Sequence, residues 1–271
     1  MRPRAFFIAL CLTGIALLAG PAAAQGTDPS QSKIYRLERN TTYQRGCFGP
    51  CACPIIESGT VRGTFRLTRT GVDPLYDSYA VTGVNWLIML GTSDLRVRGS
   101  GTYRIGGEFA RQHQLTLDLK VDDRPVDHYD SGLVAGGGSF PAIDIEISVN
   151  GHYCFDTVFN IHAKPLMQIG VGREDVSWDP MTGATGYDVV RGDLWVLRQT
   201  LGNFAAATSA CLTDDMSGTS VSYGGTPAPG AAFWFLGREI EGSAAGTYDC
   251  GDAGQVGSRD PGISASPSSC P

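Results

Sequence analysis

Thiols, imidazoles and carboxylates gather at a few places in this chain. The densest is Gly46-Cys-Phe-Gly-Pro-Cys-Ala-Cys-Pro54, which brings Cys47, Cys51 and Cys53 into one short loop. Together with Cys154, His152 or His162 these offer enough soft ligands for a tetrahedral zinc. The C-x3-C-x-C spacing is not that of a paired knuckle, however, and in an exported chain sulfur is oxidised by default. The loop is therefore assigned disulfides, and no metal or cofactor. Cys154 is expected to bond to one of the three loop cysteines while the other two close a small ring; four cysteines allow three connectivities, and spacing does not choose among them. Cys211, Cys250 and Cys270 complete the disulfide candidates, and their odd total leaves at least one thiol over.

Carboxylates suggest two hydrolytic chemistries. Asp130-Ser131-Gly132 spells the Asp-Ser-Gly of aspartic proteases, whose reaction needs two such carboxylates sharing one proton. Its setting is not an apolar strand, and Asp156-Thr-Val158 lacks the glycine of a second copy. Asp118, Asp122, Asp144 and Glu146 could supply an acid and base pair for glycoside cleavage, but they occupy the outward positions of alternating strands, where charge is expected anyway. His113 and His128 stand alone and read as solvated surface residues. A Gly-x-Ser-x-Gly elbow, a His-Glu-x-x-His pair and a phosphate-cradling loop are absent. No catalytic residue is assigned.

The elements that must position these groups are strands. In Val61–Thr68, Leu95–Arg98, Leu115–Asp122 and Ile143–Val149 the odd positions are mostly apolar and the even ones polar, the period of half-buried antiparallel strands. Ile34–Leu37, Tyr79–Leu90 and Tyr153–Ile161 bring the expected number to about seven or eight, closing as a β-sandwich or barrel over residues 33–164. In the last of these, Cys154 falls on the polar side, within reach of the cysteine loop. Gly132–Ser139 reads as a flexible surface loop of the kind that can line a binding site.

Upstream, Met1-Arg-Pro-Arg4, the apolar run Ala5–Ala19 and Ala22-Ala-Ala24 read as a signal peptide, residues 1–24, followed by a flexible start, 25–32. The apolar run falls short of the roughly 20 residues of a spanning helix, and no later stretch reaches that length, so no transmembrane segment is expected in the mature chain. The net charge of −6 becomes −8 once Arg2 and Arg4 leave with the leader, which argues against nucleic-acid binding. That charge is uneven: Gln25–Pro165 carries 14 basic and 15 acidic residues, Leu166–Pro271 only 5 against 12, read as a solvated acidic surface. Lys33, Lys120 and Lys164 are the only lysines; this arginine bias and the alanine-rich leader suggest a GC-rich bacterial genome.

In the second half, Asp175-Val-Ser-Trp-Asp-Pro180 followed by Gly183-Ala-Thr-Gly-Tyr-Asp-Val-Val-Arg191 resembles strands B and C of a fibronectin type III module, with Pro227–Arg238 similar to the turn into strand F. The resemblance covers 166–271 and points to a variant found in exported bacterial proteins. It implies a β-sandwich with Trp178 and Tyr187 in its core, strand E at Thr219–Tyr223 and strand G at Gln255–Arg259. Phe233 and Trp234 stand where the family's corner tyrosine is usual. Leu197–Ser217 is a long link with room for a helical turn or two. The family's loop arrangement favours Cys211 with Cys250 over Cys211 with Cys270. Arg191-Gly192-Asp193, an integrin tripeptide in some such modules, here ends strand C, so integrin binding is not expected. The combined expectation is an all-β, two-module, exported and non-catalytic binding or scaffolding protein of the bacterial cell envelope or extracellular space. Its partner would be an unknown protein or glycan held by the first module, with the second as spacer. The alternative is a secreted hydrolase of polysaccharide or peptide, using carboxylates of the N-terminal module. Export would leave the mature chain periplasmic, at the cell surface or secreted after cleavage near Ala24.

Overall fold

The computed structural model describes residues 32–53, 56–91 and 93–271. The expected leader and residues 25–31 of the flexible start lie outside the described residues, and Ser32 already belongs to the first strand. The first module comprises β1 (Ser32–Leu37), β2 (Thr42–Cys47), β3 (Glu57–Val72), β4 (Tyr76–Met89), β5 (Asp94–Gly106), β6 (Gln112–Val121), β7 (Val126–Asp130), β8 (Val134–Ala135), β9 (Ile143–Ser148) and β10 (Phe155–Pro165). They form one antiparallel sheet that closes on itself. From β2 to β7 each strand pairs with the next, β7 meets β9, β9 pairs β10, and β10 returns to β2. β1 continues the line of β2, since both pair with β3 and β10. The result is an up-and-down barrel in which the short β8 lies beside β6. Its thinnest seam is β7 with β9, joined through Asp130 and Ser148.

Alternation explains the closure. Leu115, Leu117, Leu119 and Val121 of β6 and Ile143, Ile145 and Ile147 of β9 are buried, while the residues between them are mostly wet. The axis is filled by an aromatic chain: Tyr35 on Phe65, Phe65 on Trp86, Trp86 on Phe159, and Phe159 against Tyr43 and Tyr129, with centroids 5.2 to 6.2 Å apart. Gly63, at φ +149°, makes this possible, because a Cβ there would strike the Trp86 backbone and ring. The interior of the barrel is filled by its own side chains.

One end of the barrel corrects two expectations. Gly132–Ser139 is not a loose loop: it contains β8, the Gly136 N–H donates to the Arg111 carbonyl (3.1 Å), and Gly136 and Gly137 lie against His113 and Ile105 so closely that a Cβ on either would collide. His113 is not at the surface. It is 2% exposed, its Nδ1 is 3.2 Å from the Tyr103 hydroxyl, and its odd position places it inward with Leu115 and Leu117.

The second module holds β11 (Ile169–Val171), β12 (Asp175–Trp178), β13 (Gly186–Asp193), α1 (Leu194–Gln199), α2 (Phe204–Ala207), β14 (Thr208–Met216), β15 (Ser220–Ser222), β16 (Phe233–Glu241), β17 (Ala244–Ala245) and α3 (Asp260–Ser264). A three-stranded sheet, β11-β12-β15, and a four-stranded sheet, β14-β13-β16-β17, enclose Val176, Trp178, Tyr187 and Val189, with the Trp178 and Tyr187 rings 5.8 Å apart. β13 is buried along most of its length because its other face is covered too, by Phe204 of α2, Ile263 of α3 and Cys270. The long link thus folds as α1, α2 and β14. Asp193 caps α1 by accepting from the Trp195 and Val196 N–H groups, and Asn203 caps α2.

This outer layer also corrects the cysteine pairing. The tail folds back over the four-stranded sheet, so Cys211 bonds to Cys270 rather than Cys250, and among the described residues Cys250 is the free cysteine. Nor is there a strand at Gln255–Arg259: β17 pairs with β16 instead, and residues 249–255 leave the sandwich to lie on the barrel. Among the described residues, no helix is long and apolar enough to cross a membrane.

Candidate functional site

The cysteine loop is built for rigidity. Cys47 closes a ring with Cys53, and Cys51 ties the loop to Cys154 at the start of β10. All four sulfurs are thereby consumed, which removes the zinc option at this loop. The buried Asp156 carboxylate accepts from the backbone N–H groups of Val149, Asn150, His152 and Thr157 at 2.7 to 3.2 Å, fixing the facing β9–β10 turn. Phe48 stacks on His152, whose Nε2 is 3.2 Å from Glu146. Tyr153 and Phe155 are more than half exposed at this end, with the Arg45 guanidinium over the Phe155 ring. Beneath, Arg124 reaches the Tyr43 hydroxyl (3.0 Å) and Glu57 (3.7 Å).

The carboxylates singled out by sequence do not work as a pair. Partial burial pushes the Asp130 carboxyl up, but donation from Gln114, the Gly132 N–H and Thr116 outweighs it and holds the group below the usual carboxylate range. It is an ionised turn acceptor whose partners among the described residues are Gln114, Thr116 and the Gly132 N–H, unlike a shared-proton dyad. Asp118 pairs with His128 (2.7 Å), Asp144 with His162 (3.2 Å) and Glu146 with His152, while Asp122 accepts from the Arg96 N–H. Each has its own partner on the barrel exterior. The Arg191-Gly192-Asp193 tripeptide is likewise absorbed: Arg191 donates to Ser209 and Tyr223, Gly192 lies under the Trp234 ring, and Asp193 caps α1. Asp188, Asp214 and the Cys270 sulfur lie close together, yet Cys270 is in a disulfide and Asp188 is held by Arg238 (2.7 Å) and the Asp215 N–H, so they make no metal centre.

A cleft of about 1140 Å³ lies between the two modules. Arg36, Arg39, Asn40, Thr60 and Arg62 line it from the barrel, and Thr247, Asp249, Gln255, Ser258 and Asp260 from the second module. Domain junctions are where such pockets concentrate. Its walls are held together by polar contacts. Arg36 donates to Glu239 (3.0 Å) and to the Asp249 carbonyl (3.1 Å), and Lys164 lies 2.7 Å from the same Glu239 carboxylate. Arg62 grips the carbonyls of Asp252, Ala253 and Gln255, while Thr64 and Asn85 donate to the Asp252 carboxylate. Most of the cleft's charged groups are spent in this way. Arg36 and Arg62 are engaged across the junction, Asp249 accepts the Arg259 N–H, and Asp260 accepts from Thr247 and the Tyr248 N–H. What the cleft offers a ligand is hydroxyls, amides, carbonyls and the exposed Arg39, over a floor that includes Leu37, Val61 and Met89.

None of this was visible from local sequence, because the two walls lie some two hundred residues apart along the chain. The hint was the charge asymmetry, since part of the second module's acidity meets barrel cations rather than solvent. No family model, curated protein or solved structure matches the chain.

Proposed function

We propose that this chain is an exported, non-catalytic binding or scaffolding protein of the bacterial envelope or extracellular space, and that its ligand is a polar protein segment or glycan held in the cleft between the modules. The observation that carries this reading is the cleft itself, a concave surface of ligand size most of whose charged groups are committed to structure and whose walls come from both modules. The type III resemblance of the second module draws support from the division of its strands into sheets of three and four and from the packing of Trp178 on Tyr187. In this reading the module is one wall of the site rather than a spacer. Disulfides in both modules suit an oxidising compartment after removal of the leader near Ala24.

The test is to pass the mature chain over immobilised bacterial polysaccharides and a displayed peptide library, alongside Thr60→Trp and Ser258→Trp. Both residues are exposed on the cleft walls, so the added indole fills the cleft without entering a core. Capture by the native chain, weakened at least tenfold by either substitution, is the expected result. No capture from either panel, or capture unaffected by both substitutions, removes the cleft as the binding site.

A further inference from the structure

Each side-chain contact described above across the junction has its donor on the barrel and its acceptor on the second module. Arg36, Arg62, Thr64, Asn85 and Lys164 donate; Glu239, Glu241, Asp252 and the carbonyls of 249–255 accept. The most enclosed part is the triad of Glu239 between Arg36 and Lys164, whose side chains are 5%, 9% and 22% exposed. We propose that this one-sided junction is a proton-operated latch: protonation of Glu239 and Asp252 leaves the barrel cations without counter-charge and lets the second module swing away, opening the cleft. The latch rests on the ion-pair geometry; its consequence for a ligand rests on the binding reading above.

The directions of titration agree. Burial alone pushes the Glu239 carboxyl up, but Lys164 and Arg36 outweigh it, and the group sits below its ordinary range. Asp252 is held down chiefly by the Gly254 N–H, against some burial, with Asn85, Thr64 and Arg62 adding to it. A carboxyl depressed in the docked state contributes its full docking free energy above the unperturbed carboxylate range, and loses it as pH falls through the docked value. The latch is therefore shut at neutral pH and opens only below the usual carboxylate range.

The surrounding charges shape the transition. Glu38 and Glu241 lie 3.8 and 3.7 Å from Lys164 but are more exposed than Glu239, so water screens their hold on it. His162, two residues before Lys164, is paired with Asp144 (3.2 Å) rather than with the triad. Burial pushes Asp249 up, but the Arg259 N–H, Ser258 and Gln255 outweigh it and hold the group down, and its protonation loosens the loop whose carbonyl meets Arg36. The bonds from Arg62 to carbonyls do not titrate, so 252–255 is the last segment to leave.

The experiment follows the mature chain by small-angle scattering and limited proteolysis from pH 7 to pH 3, with near-ultraviolet circular dichroism reporting whether each module stays folded. Expected is an increase in radius of gyration and at least tenfold faster cleavage near 166–168 at acid pH while the dichroism persists. Glu239→Gln and Asp252→Asn should each move that opening to higher pH; should the first fail to fold, the second carries the test. A constant radius down to pH 3, loss of dichroism before or together with expansion, or variants indistinguishable from the native chain would each overturn the latch. Repeating the glycan and peptide capture across the series separates the two readings: opening without capture at any pH keeps the latch and removes the binding function.

Discussion

The two modules solve the same packing problem with unequal means. In the barrel, one continuous core runs from Tyr35 to Ala163, with Trp86 and five other rings along its axis. In the second module the four-stranded sheet divides the apolar residues between two small clusters, one around Trp178 and one around Tyr248. A core that is split buries less per residue and leaves less margin against chain entropy. The placement of the disulfides reflects this. Those of the barrel, Cys47–Cys53 and Cys51–Cys154 with separations of 6 and 103, meet at a loop on its rim, whereas Cys211–Cys270, with a separation of 59, puts Cys270 into the outer cluster of the second module itself. The barrel is thus self-sufficient, and the second module depends on a covalent bond and on its docking.

The sharpest way to break this contrast is to damage the barrel. Trp86→Ala removes the ring that touches both Phe65 and Phe159 and should cost roughly 3–5 kcal/mol in urea unfolding. A cost below about 1 kcal/mol would mean that the barrel core is no better connected than its neighbour. The double substitution Cys211→Ser, Cys270→Ser should cost the second module roughly 2–4 kcal/mol. Calorimetry should then show its transition separating from an unmoved barrel transition, and a single shifted transition would show the modules to be one cooperative unit. Next in size is Gly192→Ala, whose Cβ meets the Trp234 ring and the Ala207 carbonyl; about 1–3 kcal/mol is expected, confined to the second module.

Much of the barrel was legible because each strand has one wet face, so parity alone placed Leu115–Val121 and Ile143–Ile147 inward and Asp118, Asp144 and Glu146 outward. The second module was legible at Trp178 and Tyr187, at the strand around Ser220–Ser222, at the turn leading into Phe233–Glu241 and in the helical turns of its long link, but not in its tail. β13 is buried on both faces and has no alternation to read, and the tail from Asp249 is shaped by Arg62, Thr64 and Asn85, 167 to 190 residues earlier. The cleft and its latch, made of such long-range contacts, left no local pattern beyond the excess of acid. His113 failed for a different reason. Residue type suggested a surface, while its position in the alternation already pointed inward.

That histidine gives the smallest and most specific expectation. Burial lowers its pKa, only partly opposed by Asp144, so in the folded barrel it stays neutral at pH values where the unfolded chain has bound a proton. Stability must therefore fall as pH drops below the unfolded histidine value of about 6.5, with a slope of at most about 1.4 kcal/mol per pH unit for one proton. His113→Gln keeps an acceptor for the Tyr103 hydroxyl and removes the titration. Urea unfolding between pH 7 and pH 5 should be flatter for the variant than for the native chain. His128, His152 and His162 are paired with carboxylates on the exterior in both proteins, so their contributions cancel in the difference. Parallel curves would mean that His113 reaches water in the native barrel, and the self-sufficiency of that core would fail at the end closed by Gly136 and Gly137.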